Sequence, residues 1–196
     1  MARAGLTQSS VVEAGERVAD EVGFDRLTLA ALAARLGVRQ PSLYKHVDGL
    51  DALRRGISVA AKSELAYVLA MAAVGRERGD AITSIAHAYR AWAIEHPGRY
   101  AAAQRAPAAG DADDQAASRA VVAVATAVLA AYDLHDDDAI DATRALRATL
   151  HGFITLEIAG GFGLPVDIDR SFERLVEGLI AAFSQWTRDQ PRASAR

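Results

Sequence analysis

The sequence predicts an all-α protein of nine helices, and three observations carry that expectation. Apolar residues recur at helical spacing: Phe172, Leu175, Val176, Leu179, Ile180 and Phe183 fall at offsets 0, 3, 4, 7, 8 and 11, one stripe of an amphipathic helix. Alanine, the strongest helix former, is abundant throughout, and valine and threonine never alternate with polar residues long enough to suggest a sheet. Breakers of glycine, proline and aspartate then divide the chain into helical segments.

Taken in order, Gly23, Gly37 and Asp48-Gly49 cut the first fifty residues into three short helices. The first runs from about Ser10 to Val22. The second is capped by Thr28 and ends at Leu36, and the third runs from about Gln40 to Val47. A long linking helix starts at Leu50. Gly75 and Gly79-Asp80 end it and open the next helix, which Pro97-Gly98 breaks. Pro107 to Asp114 is a loop of small and acidic residues, and Asp133 to Asp138 separates two further helices. Asp113-Asp114 and Asp136 to Asp138 stand just before helical segments, where the helix dipole favours negative charge. Gly160-Gly161, Gly163 and Pro165 make the last turn, and Asp169 is the expected N-cap of the final helix. The tail from Gln190 is expected to fray.

Composition narrows the function classes. A chain of 196 residues, 51% hydrophobic and 24% charged, suits a small domain joined to a larger one. The net charge of −3 excludes a uniformly basic binder but leaves room for a local basic patch. With no cysteine, disulfides and thiolate metal sites are excluded, and an intracellular address is the simple reading. The N-terminus lacks the apolar core of a signal peptide. No apolar run reaches the roughly 18 residues of a membrane span. The stretch Ala120 to Ala131 therefore reads as a buried helix, and no membrane partner is expected.

The informative segment is residues 28–47. Gly37 supplies the left-handed residue that ends one short helix, and Pro41 fits the first turn of the next. Two short helices around one tight turn form a helix-turn-helix. Ala33 is small where the helices cross, and Leu32, Leu36, Val38, Leu43 and Val47 face inward under cover of Val11, Val18 and Val22. The outward face carries Arg39, Gln40, Ser42, Tyr44, Lys45 and His46, the hydrogen-bonding side chains that a major-groove reader requires. Between Arg35 and Arg55 stand five basic residues (Arg35, Arg39, Lys45, Arg54, Arg55) against two acidic ones (Asp48, Asp51), a local surplus suited to phosphates.

Gly-Val-Arg-Gln-Pro-Ser-Leu-Tyr-Lys-His-Val (residues 37–47), followed by Leu50, Ala52 and Leu53, resembles the DNA-binding domain of the TetR family over about residues 8–55. The resemblance implies a nine-helix TetR-like fold, with a helix-turn-helix domain at 1–55 and a ligand-binding and dimerisation domain at 56–196. It implies that Gln40, Pro41 and Ser42 lie against base edges and that Thr28, Tyr44 and His46 hold phosphates. Two departures stand out. Arg39 occupies a position where the family usually has a small hydroxyl residue. Leu50 replaces a usual lysine, a phosphate contact that Arg54 or Arg55 is expected to restore from one turn further on.

In the body, Trp92 to Tyr100 is similar to a helix break of many TetR bodies, and His151-Gly152-Phe153 resembles a C-terminal class marked by an aromatic- or His-Gly step. This implies a homodimer through the last two helices and a small-molecule effector bound between the fifth, seventh and eighth helices. Candidate lining residues, chosen as polar groups on apolar helices, are Tyr89, Trp92, Glu95, His96, Gln104, Thr126, His151 and Thr155. The helix from about Ala139 to Ala159 supports pairing by itself. Leu146, Leu150, Phe153 and Ile154 form one side of it, and Thr149, Gly152 and Leu156 another. The expected function is a DNA-binding transcriptional regulator, a repressor of a palindromic double-stranded operator released by its effector, in the bacterial cytoplasm.

The alternative is a small all-helical enzyme or ligand carrier. Against it, the chain has no His-Glu-x-x-His, no nucleophile elbow and no phosphate-binding glycine loop, and its five histidines are scattered. No catalytic residue, cofactor or metal is expected. A helical protein-interaction module would explain the body but not the polar face at Gln40 to His46.

Overall fold

In the computed structural model, which describes residues 6–189, the chain begins with a capping box. Thr7 accepts from the Ser10 N–H at 3.1 Å and its own N–H donates to Ser10 Oγ at 2.9 Å, which starts α1 (Gln8–Val22). Gly23 ends α1 at φ 91°, and a 3₁₀ turn, Phe24–Arg26, leads to α2 (Leu29–Leu36). The reading segment Gln40–Lys45 follows, then α3 (Gly49–Ala73), α4 (Arg78–Glu95), α5 (Pro97–Ala103), α6 (Ala112–Leu129), α7 (Asp136–Ile158) and α8 (Ile168–Asp189). A 3₁₀ turn at Ala130–Tyr132 closes α6. With the reading segment counted as a helix, the described residues hold nine helices and no strand, as the periodicity predicts. The tail from Gln190 lies outside the described residues.

The helices form two compact units, Met1–Ala66 with Trp92–Ala120, and Tyr67–Ala91 with Val121–Arg196. Helix α3 runs unbroken through the division expected after Arg55. In the first unit, Val11, Ala14 and Val18 of α1 are buried with Leu32 and Ala33 of α2, Leu43 of the reading segment and Leu53 and Ile57 of α3. Helix α5 packs on α1. A Cβ on Gly98 would overlap the carbonyl carbon and oxygen of Ala19 and stand 2.5 Å from the Asp20 nitrogen, so only glycine permits this approach. Lys62 and Asp114 form a buried ion pair at 2.5 Å, with side chains 3% and 7% exposed, that ties α3 to the start of α6.

In the second unit, α7 buries Leu146, Leu150 and Ile154, and α8 buries Phe172, Val176 and Phe183. Arg90 grips Glu157 and Asp169 while its guanidinium lies 4.8 Å from the Phe172 ring centroid.

Three local expectations need correction. Asp169 is not the cap of α8. Asp167 fills that role, accepting from the Arg170 N–H at 2.9 Å, which leaves Asp169 free to pair with Arg90 at 2.7 Å. The stretch Ala120 to Ala131 is not a buried helix: within the chain it exposes Val122, Ala123, Thr126 and Ala127. Alanine fits either environment, so its apolar count overstated burial. Two helical stretches, Gly49–Ala73 and Ala112–Tyr132, do reach a membrane-spanning length and apolarity by composition. The first of them carries Arg54, Arg55 and Lys62, each bonded within the fold.

Candidate nucleic-acid interface

The head is built from local signals. Thr28 Oγ1 accepts from the Ala31 N–H at 3.1 Å and caps α2, which leaves the exposed hydroxyl its own proton to donate. Gly37 sits at φ 65°, ψ 33°, its N–H bonded to the Ala34 carbonyl and the Val38 N–H to the Ala33 carbonyl. These two bonds satisfy two carbonyls in the last turn of α2, those of Ala33 and Ala34, and turn the chain.

The reading segment Gln40–Lys45 is 3₁₀ rather than α and ends at Lys45, short of the expected Val47. Pro41 brings no N–H, and with so few residues the tighter i→i+3 bonds win: the Ser42 N–H meets the Arg39 carbonyl at 2.9 Å and the His46 N–H meets Leu43 at 2.8 Å. Leu43 is 0% exposed and pins the segment, while Val47 is buried just beyond it. Around Leu43, Arg39, Gln40, Pro41, Tyr44 and Lys45 are exposed, and Ser42 and His46 are half-buried. Tyr44 is 53% exposed and is a surface residue. Arg39 stands at the N-cap position without a side-chain capping bond, as its departure from a hydroxyl residue implies.

The basic surplus is smaller than the sequence suggests. Arg35 is bonded to Glu21 at 2.6 Å. Arg54 donates to the Asp25 carbonyl at 3.0 Å and lies 5.9 Å from the Phe24 ring centroid, which clamps the turn after α1 to α3. Arg55 is bidentate on Asp111 and reaches Asp113 at 2.9 Å. Of the two residues expected to restore the phosphate contact of position 50, Arg55 is thus paired with two carboxylates, whereas Arg54 is held through one nitrogen on a backbone carbonyl. Arg39 and Lys45 have no carboxylate partner among the described residues.

Beneath the head lies a polar joint that the sequence reading missed. The Arg99 N–H and Nε both donate to Asp20 at 2.8 Å, and Nη1 reaches Glu64 at 2.8 Å. Nη2 donates to His96 Nδ1 at 2.6 Å. The signal was present in Pro97-Gly98-Arg99, a helix start beside a glycine with a cation attached. Burial pushes the neighbouring Glu16 carboxyl up to about 7; Arg99 opposes this, and Glu64, Asp20 and Glu13 reinforce it. A raised carboxyl binds its proton more tightly in the folded chain. Its stabilisation is full below the unfolded value of 4.5 and is lost as pH rises through about 7. Glu16→Gln is expected to flatten the fall of the urea midpoint across that window, and an unchanged slope would deny Glu16 this role.

The effector candidates are divided between the two units. Trp92, His96 and Gln104 belong to the first unit, and Tyr89, Thr126, His151 and Thr155 to the second. Tyr89 and Trp92 are core residues, and Trp92 keeps a buried indole N–H with no partner among the described residues. Thr126 is exposed and donates to its own helix at the Val122 carbonyl. His151 sits 3.5 Å from the Thr155 hydroxyl, and burial, aided by Arg147, lowers its proton affinity. Glu95 is exposed.

A three-helix head that presents polar and basic side chains around one buried leucine defines a helix-turn-helix DNA-binding protein. Residues 11–54 match the family model of the bacterial regulatory proteins of the tetR family, and residues 82–179 match the tetracyclin repressor-like C-terminal domain. The chain is 39% identical over 185 residues to the HTH-type transcriptional regulator Rv0681 of Mycobacterium tuberculosis, covering 94% of this chain and 84% of the relative. It is 38% identical over 180 residues to the HTH-type regulator YobS of Bacillus subtilis, covering 91% and 93%. The crystal structure of the regulatory protein SCO4313 superposes with a TM-score of 0.72 at 27% identity, over 89% of this chain and 95% of that one. The chain belongs to the TetR family of bacterial helix-turn-helix transcriptional regulators.

Proposed function

We propose that this regulator is a repressor that binds a palindromic operator as a homodimer and leaves it when a small-molecule effector binds. The observation that carries the reading is the segment Gln40–Lys45, where one buried leucine holds exposed polar side chains at Gln40, Tyr44 and Lys45 that have no ion-pair partner among the described residues. Gln40, Pro41 and Ser42 meet base edges, and Thr28, Arg39, Tyr44, Lys45 and His46 meet the backbone. Residues 1–55 read DNA in the bacterial cytoplasm, and residues 56–196 pair and respond to the effector. Paired heads stand about one DNA turn, roughly 34–36 Å, apart on the operator.

Pairing through α7 and α8 is supported by their open faces. Leu156 is 51% exposed, Ile140 and Ile158 are also exposed, and a Cβ at Gly152 or Gly178 would meet nothing within 4 Å. An apolar helix face with room for close approach favours a two-fold partner. For the effector, Trp92, His96, Gln104, His151 and Thr155 remain candidate contacts. Thr126 drops out through its exposure, and of the two core residues Tyr89 and Trp92 only Trp92 is kept, for its buried indole N–H that has no partner among the described residues.

The test begins by selecting bound genomic fragments with ligand-free protein at low salt. Lys45→Ala is expected to weaken every sequence alike and to lower the salt slope by about 1, whereas Gln40→Ala costs about 1–3 kcal/mol and relaxes preference at one base pair. An unchanged base preference in the Gln40 variant defeats its assigned role, and no selected sequence at all defeats the reading.

A further inference from the structure

Outside the head, the second unit carries an open groove of about 640 Å³ where α3 ends, α4 begins and α6 runs past them. Its walls are small and apolar: Ala70, Ala73 and Val74 on one side, Val124 and Ala127 on the other. The volume lies within the roughly 300–1,000 Å³ of small-molecule sites. Eleven residues line it, fewer than the roughly 20–30 that a protein partner covers on each side, so a small ligand suits it better.

The polar groups at its mouth set the chemistry. Arg76 Nη1 donates to the carbonyls of Ala72 at 3.0 Å and Val74 at 3.3 Å. Arg78 Nη1 donates to the Ala131 carbonyl at 3.1 Å, with its guanidinium 5.0 Å from the Tyr132 ring centroid. Among the described residues each guanidinium is thus positioned through one nitrogen, with no further hydrogen bond from its other N–H groups and no carboxylate partner. Glu77 also lines the groove, one negative charge against two positive. Arg78 moreover holds φ at 50°, a left-handed conformation that costs an arginine energy and is more common at functional positions.

We propose that this groove binds an aliphatic carboxylate. The tail of this single-chain amphiphile lies along the alanine and valine walls, and its head accepts hydrogen bonds from Arg76 and Arg78. Two fixed guanidinium groups match a carboxylate in shape and charge, and the walls offer nothing to a polar body. Its place as the effector rests on the repressor reading above; its binding does not.

The experiment uses the full chain and decanoate, below its micellar concentration, in a calorimetric titration at neutral pH. Decanol and decyltrimethylammonium serve as neutral and cationic heads on the same tail. Decanoate is expected to bind tightest, with a loss of about tenfold in each of Arg76→Gln and Arg78→Gln, the scale of one charge-assisted hydrogen bond. Ala127→Trp, at an exposed wall position, is expected to weaken all three by filling the groove. Equal affinity for the three heads, or decanoate binding unchanged in the double arginine variant, overturns the proposal. Operator release is read separately. Arginine-dependent binding that leaves DNA bound upholds the site and removes decanoate-like ligands from the effector role. Release by decanoate that survives both arginine changes overturns the groove and leaves the repressor reading standing.

Discussion

A chain carrying Gly98→Ala is expected to lose about 3 kcal/mol or more of stability, a large share of the roughly 5–15 kcal/mol that holds a domain folded. The added methyl would meet backbone, not the end of a pliable side chain: the Ala19 carbonyl and the Asp20 nitrogen lie directly over Gly98. Overpacking by a methyl ordinarily costs about 1–3 kcal/mol, and the upper end applies where neighbours cannot retreat. Here they cannot, because the next residue, Arg99, is bonded to Asp20 on α1 by both its N–H and its Nε and to Glu64 on α3 by Nη1. Lifting α5 off α1 would stretch those bonds together. Urea unfolding followed by circular dichroism measures the loss. A cost under about 1 kcal/mol would show that α5 does not seat this closely.

Lys62→Ala is expected to be comparably damaging, by about 3–5 kcal/mol, for a different reason. Removing the ammonium leaves Asp114 with its side chain 7% exposed and no opposite charge. The pair itself contributes little net energy, since desolvating two ions offsets most of their attraction. Hence a double replacement, Lys62→Met with Asp114→Leu, is expected to recover most of what Lys62→Ala loses. A single-variant cost of no more than about 1 kcal/mol, typical of a solvated pair, would contradict the burial argument.

How much of this was legible in the sequence depends on the range of the forces. Thr28 and Gly37 were readable because a cap and a left-handed turn are settled by residues three or four apart. The outward face of Gln40 to Lys45 was readable because one leucine between polar neighbours leaves little choice of which side goes in. The finer geometry was not: Pro41 and the brevity of the segment tipped it to 3₁₀. Asp169 was misassigned as a cap because its true partner, Arg90, is remote in sequence. Likewise Arg55 looked available for phosphate until Asp111, 56 residues away, was brought to it. The effector candidates were selected by residue type, and only tertiary packing decides that Thr126 faces outward and Trp92 inward. Nothing in the sequence singles out Arg76 and Arg78, because the apolar walls beside them come from three separate helices.

The single buried leucine of the reading segment has an evolutionary consequence. Positions 40 and 45 are exposed and contribute little to packing, so under the proposed operator reading a duplicated gene can acquire a new target by exchanging them and inherit a sound scaffold. Drift at Gly98 meets the opposite fate, since it endangers the molecule before any target is consulted. Paralogues descended from this chain are expected to diverge in address long before they diverge in architecture.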